Sequence, residues 1–266
     1  MRRTLMVTLV AFVLATAGCD AKPAGSAPAS PGPGSPAASS YASARAELAA
    51  GLVRTAAVPS AYTVETAEES GAVIGTMTGV SDPAREASSG RIEVRSPVVG
   101  KLETTVIGDD VYSRGNARAL TADHWTHLSL ARAPLVAAIG FPGIVATVGS
   151  AGALADVART GPGTFTGHLN PSKVSRTSLL YGWHEQVSFE ATLDGQGYIT
   201  SLVLHTSPAV DGMGMKPERI TIRLSEFGTP VTVAAPPPAE VKEAGDEAYA
   251  LYGDVSMAPP SGTGPS

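Results

Sequence analysis

The sequence predicts an α+β fold in which one curved antiparallel sheet wraps around short apolar helices. Three observations carry the prediction. Segments of alternating apolar and polar residues follow one another from residue 62 to residue 224, and consecutive strands with short connections make antiparallel sheets with one apolar face. Helical periodicity is confined to residues 41–57 and to the middle of the chain. That middle stretch, residues 133–155, has no charged side chain, although Arg132 and Asp156 bracket it. A helix that is apolar nearly all round belongs inside a fold or in lipid, and a sheet covering such helices is the economical way to bury them.

From the N-terminus, the chain opens with the basic pair Arg2 and Arg3 and an apolar run over residues 5–17. The run is too short to span a bilayer and has the form of a secretion signal. It ends Thr16-Ala17-Gly18-Cys19. Small residues before a cysteine resemble the lipobox of bacterial lipoprotein signals, although leucine is more usual at the Thr16 position. The resemblance implies cleavage after residue 18 and thioether diacylation of Cys19. Acyl chains such as palmitate contribute ~0.8 kcal/mol per buried CH₂, so several chains hold firmly. The chain would then sit on the outer face of the bacterial cell membrane, anchored by lipid. The alternative is an ordinary secreted protein with a free thiol. Residues 19–40 are mostly Pro, Ala, Gly and Ser, too poor in apolar surface to fold, and read as a flexible tether.

Residues 41–238 read as the folded domain. Residues 41–57 form a helix with Leu48, Leu52, Val53 and Ala56 on one face. Strands follow at 62–66, 72–80, 91–95, 101–107, 111–114 and 125–130. The polar residues 81–90 read as a loop. In the central stretch Leu135, Val136 and Ile139 share one helical face, and Ile144, Val145 and Val148 repeat the spacing. Pro134 and Pro142 suit first-turn helix positions. Gly140 and Gly149 suit the residue just past a helix end. The opposite faces carry Ala137, Ala138, Ala146 and Thr147. Pro142, with Gly140 and Gly143 nearby, interrupts the run and argues against a membrane span.

Residues 154–160 fit either a helix end or a strand. Residues 164–169 read as a strand, and Val187, Phe189, Ala191 and Leu193 alternate along another over 185–193. Asp194-Gly195 is a two-residue hairpin signal leading to a strand at 198–205. Ile220, Ile222 and Leu224 alternate over 219–224, and Val231-Thr232-Val233 closes the domain before Pro236-Pro237-Pro238. Residues 239–266 read as a mostly disordered polar tail.

Composition excludes several functions. The formal charge is −5, and loss of a leader carrying Arg2 and Arg3 takes it to −7. No basic stripe is present, and aromatics are only 5% of the chain, so neither phosphate tracking nor base stacking has the residues it needs and no nucleic acid is expected. A single cysteine allows no intrachain disulfide and no multi-cysteine metal site. His124 and His127 lie three apart on a strand and point to opposite faces, a poor metal pair. His168, His184 and His205 are scattered. Asp109-Asp110 suits a turn. Gly149-Ser150-Ala151-Gly152 lacks the nucleophile-elbow spacing, residues 161–167 lack the dinucleotide spacing, and Asp194-Gly195-Gln196-Gly197 lacks the rest of a calcium loop. No catalytic set, metal site or cofactor is expected.

Several motifs, taken in order, look familiar: Val73-Ile74-Gly75; Ile107-Gly108-Asp109-Asp110-Val111-Tyr112-Ser113-Arg114-Gly115; Trp125 opening a strand; Leu193-Asp194-Gly195-Gln196-Gly197-Tyr198-Ile199; and Phe227-Gly228-Thr229-Pro230-Val231-Thr232-Val233-Ala234-Ala235-Pro236. The series resembles actinobacterial lipoproteins of the LolA-like superfamily, including the LprG/LppX-type lipid carriers, over roughly residues 41–241. The resemblance implies an antiparallel half-barrel with helices on its concave face and space between them for acyl chains. It implies a lipid or other apolar ligand held by Leu135, Val136, Ile139, Phe141, Ile144, Val145 and Val148. The central segment is richer in Gly and Ala than in such relatives, which leaves the pocket either wide or collapsed. An envelope sensor or protein-interaction module with the same fold and a filled core is the alternative.

Overall fold

The computed structural model describes residues 38–95, 100–116, 121–132, 151–173, 186–206, 218–246 and 248–249. Cys19, the tether and the expected central helices lie outside them. Contacts divide the chain into two units, Met1–Pro36 and Ala37–Ser266, and the second holds everything described below.

It opens with a helix, α1 (Ala38–Thr55). Ala44, Leu48 and Leu52 recur every four residues, and all three are buried. Val53, expected on the same face, is 61% exposed, because it falls a further 100° round the helix from Leu52. Thr55 ties the helix to the sheet. Its buried hydroxyl donates to the Gly51 carbonyl and accepts from the Ile199 N–H, both at 2.8 Å.

Twelve strands follow: β1 (Ser60–Glu68), β2 (Val73–Asp82), β3 (Ala87–Val94), β4 (Gly100–Ile107), β5 (Asp110–Gly115), β6 (Trp125–Ser129), β7 (Leu154–Gly161), β8 (Thr164–Leu169), β9 (Val187–Leu193), β10 (Ile199–Thr206), β11 (Glu218–Ser225) and β12 (Val241–Glu243). They form one sheet in the order β12-β6-β5-β4-β3-β2-β1-β11-β10-β9-β8-β7. Each neighbouring pair is antiparallel except β12 with β6. The first and second halves of the chain therefore meet where β1 pairs β11, and the sheet grows outward from that seam by hairpins.

Four readings change. The expected loop at 81–90 shrinks to a single turn, Pro83–Arg85, closed by Glu86 in the left-handed region (φ 50°). Ala87–Gly90 is strand, because it pairs with β2 on one side and β4 on the other. Residues 154–160 are strand, not a helix end. The β9–β10 hairpin loop is longer than two residues: the Asp194 carboxylate accepts from the N–H groups of Gln196 and Tyr198, and Gly197 takes φ 82°. Finally, part of the expected tail is ordered. Val241–Glu243 pair with β6, and Ala248 and Tyr249 are buried.

The core has two parts. The larger joins α1 to the faces of β7 to β11 and reaches Tyr62, Val64 and Met77. The smaller consists of Leu102, Val106, Val111, Leu128, Ala248 and Tyr249.

Candidate functional site

Antiparallel partners point to the same side of a sheet, so the registers define one inner face. One row crosses it as Ser60, Ser81, Ser88, Val106, Val111 and Leu128, and all six are buried. The next row is Tyr62, Gly79, Gly90, Thr104, Ser113 and Thr126. A third is Val64, Met77, Ile92, Leu102 and Gly115. Beyond β1 the same face continues through Ile222, Leu224, Leu202, Leu204, Phe189, Ala191, Phe165 and Val157, all buried.

The two halves of this face differ in chemistry. On β7 to β11 it is mainly aliphatic and aromatic, with Thr206 at its margin, and α1 packs there, on β7 and β10. On β1 to β6 it is stepped. The middle row has nothing larger than threonine past Tyr62, between flanking rows that carry Val, Leu, Ile and Met. Gly79 and Gly90 make the step possible: a Cβ at either position would collide with the Tyr62 hydroxyl, so the phenol ring lies across both strands. Its hydroxyl donates to the Ser89 carbonyl at 3.3 Å. Burial pushes the Tyr62 phenol well above its ordinary pKa, so it is neutral at physiological pH. Ser60 Oγ and Thr104 Oγ1 are buried with no hydrogen-bond partner among the described residues.

The outer face is polar. Glu103 is clamped between Arg91 and Arg114, one oxygen to each at 2.6 Å. Those two hydrogen bonds, Arg114 first, hold its carboxyl below the usual range. The Arg114 guanidinium also lies 4.6 Å over the Trp125 ring, and Lys101 reaches Glu93 at 3.0 Å. Two open basins of about 420 and 440 Å³ share Arg91 and Glu103. The first takes Thr78, Val80, Ser89, Thr105 and Trp125, the second Lys101, Arg114, Asn116 and Ala122. Cross-strand ion pairs of this kind support a solvated sheet face.

The expected pocket residues Leu135, Val136, Ile139, Phe141, Ile144, Val145 and Val148 lie outside the described residues, as do Cys19 and His184. Of the described histidines, His124 lies half-buried just before β6, and the other three are dispersed over the sheet near carboxylates. His127 meets Asp110 and Glu243, His168 lies 3.7 Å from Asp156, and His205 lies 3.2 Å from Glu190. Among the described residues no group of three or more His, Cys, Asp or Glu is arranged to hold a metal ion. No described helix is long and apolar enough to cross a membrane. Sequence reasoning missed two features, the Tyr62–Gly79–Gly90 step and the His127 contacts. The glycines gave a signal for the first, since glycine inside a strand marks close approach of another group.

The familiar motifs fall at the fold's turning points. Residues 107–115 make the β4–β5 hairpin and residues 193–199 the β9–β10 hairpin. Phe227 stacks on Tyr198 at 4.6 Å, fastening the chain after β11 to that hairpin. No protein-family model and no curated protein matches the chain. Among solved structures it is similar to the crystal structure of the Mycobacterium tuberculosis lipoprotein LppX. The match has 14% identity and a TM-score of 0.49 and covers 73% of this chain and 99% of that one. It is also similar to a LolA superfamily protein of Nitrosomonas europaea, at 11% identity and a TM-score of 0.28, over 79% of this chain and 97% of that one. At these identities and TM-scores neither likeness says what this chain does.

Proposed function

We propose that this chain is a lipid-anchored extracytoplasmic protein that binds or carries a lipid or another apolar ligand between the inner face of its sheet and the apolar segment 133–150. The supporting observation is topological. β6 lies next to one end of the sheet and β7 forms the other, ten strand steps away. Only the 24 residues between Ser129 and Leu154 join them. Ten steps along a flat sheet are about 48 Å at ~4.8 Å each. Twenty-four helical residues reach only about 36 Å. Helices in that segment span the gap if the sheet bends toward them, which supports the reading that they lie on its concave side. Their apolar faces then look onto the stepped half of the inner face, which α1 leaves to them. Binding there rests on burial, ~25 cal/mol per Å² of apolar surface, and no residue performs chemistry. Leu135, Val136, Ile139, Phe141, Ile144, Val145 and Val148 are the proposed contacts, and Cys19 the proposed acylation site.

Native mass spectrometry of the chain bearing Cys19→Ser, purified without detergent from a lipid-rich bacterial host, tests the proposal. A co-purified lipid mass that is lost on Ile139→Asp supports it. Protein that is empty in repeated preparations contradicts it and favours the protein-interaction module with a filled core.

A further inference from the structure

The last described stretch of chain is held to the sheet edge through one histidine. His127 of β6 lies on the outer side between β5 and β12. Its Nδ1 is 2.8 and 2.9 Å from the two carboxylate oxygens of Glu243, and its Nε2 is 2.9 Å from Oδ1 of Asp110. An ionised carboxylate only accepts hydrogen bonds. Both ring nitrogens must therefore donate, and only the imidazolium does that.

Other contacts share the hold on this end of the chain, among them Arg114 Nη1 at 4.0 Å from Glu240. β12 has three residues and one neighbour, and Lys242 and Glu243 are exposed. The Ala244 N–H donates to the His127 carbonyl at 2.9 Å. The chain then crosses to the inner face. There the Tyr249 hydroxyl accepts from the Ser129 N–H at 3.0 Å, and Tyr249 closes over Leu102, Val106, Val111 and Leu128. Arg132 steadies the turn, 3.2 Å from Asp246 and 3.7 Å from the centre of the Tyr249 ring.

We propose that His127 is a protonation latch: as imidazolium it clamps residues 241–249 onto β6, and its deprotonation frees them and uncovers the apolar inner face of β4 to β6. The groups that face it are Asp110 and the stacked Tyr112 ring from β5, and Glu243 from β12. A neutral ring keeps one donor and turns a lone pair toward the other carboxylate, so one of the two contacts becomes repulsive. Burial opposes the charge on His127, but the hydrogen bonds and charges of Asp110 and Glu243 outweigh it and hold the pKa above the ordinary histidine value. A folded pKa above the unfolded one gives stability that is complete below the unfolded value and lost as pH rises through the folded value. The latch is thus shut below the ordinary histidine pKa and opens as pH rises through the raised pKa of His127.

The test follows His127 ring shifts by NMR from pH 5 to 8.5, alongside hydrogen exchange at Ala244 and Ser129 corrected for intrinsic rates. Protection at both amides is expected to fall as pH passes the His127 pKa. The fall should be about tenfold for each unit by which that pKa exceeds the ordinary value, while β1 and β2 amides hold. His127→Gln should show low protection that no longer varies across this range. A His127 pKa at or below the ordinary value overturns the latch. So does protection that ignores the titration, or a His127→Gln chain that keeps the wild-type profile. A variant that unfolds loses protection throughout the sheet, and the wild-type titration then decides alone. None of these readouts needs a lipid ligand, so the latch and the proposed carrier function fail separately.

Discussion

Tyr62 sits where the two halves of the chain join, and its ring occupies space that two neighbouring strands give up. Gly90→Ala puts a methyl into the Tyr62 hydroxyl and close to the Thr78 carbonyl. Overpacking of this kind costs about 1–3 kcal/mol, and urea unfolding should show that loss with an unchanged slope. Thr104 works the other way. Its hydroxyl is buried and unpartnered, so Thr104→Val, which keeps the shape, should stabilise the fold by about 1 kcal/mol in the same assay. A loss there would mean that the hydroxyl has a partner. At this scale the sequence was only half legible. Alternation revealed the strands whose inward residues are large, such as Val187, Phe189, Ala191 and Leu193. It concealed Ser88 and Gly90, which are polar or small and yet face inward, because the ring that fills the space above Gly90 comes from Tyr62, 28 positions back in the chain.

At the scale of elements, α1 was legible as a helix with Leu48 and Leu52 buried, while its bounds shift from 41–57 to Ala38–Thr55 and Val53 turns out to solvent. Leu48→Ala should cost about 2–5 kcal/mol, as a buried leucine in a packed cluster does, while Val53→Ser should stay within about 0.5 kcal/mol. Thr55→Val leaves the Ile199 N–H without its acceptor. Its expected cost is about 1–3 kcal/mol, with faster hydrogen exchange at Ile199 ahead of the rest of β10. Two elements could not be read locally. β7 pairs with β8 through two register shifts, and Asp156 takes φ 51°, so the strand lacks clean alternation and fitted a helix end as well. β12 is short and charged. It pairs with β6, where His127, 116 residues away in sequence, meets Glu243, and no local pattern reports a contact of that span.

For the whole molecule, the order of strands matters more than any one of them. β1 to β6 extend the sheet in one direction and β11 back to β7 in the other, so the chain must pass from one end to the other in its middle. The sequence placed its least charged stretch at that crossing. The antiparallel sheet and most of its hairpins were legible because alternation and turn residues are local signals. The crossing distance was not, since it depends on which strands become neighbours. The proposed function has residues 133–150 running along the inner face of β1 to β6. The most direct measurement replaces Ile139 with the photo-crosslinker p-benzoylphenylalanine and maps the captured residues by mass spectrometry. Capture is expected at the inward-facing Met77, Ile92 or Leu102. Capture at their outward-facing neighbours Thr78, Arg91 or Glu103, or no internal capture at all, would contradict it.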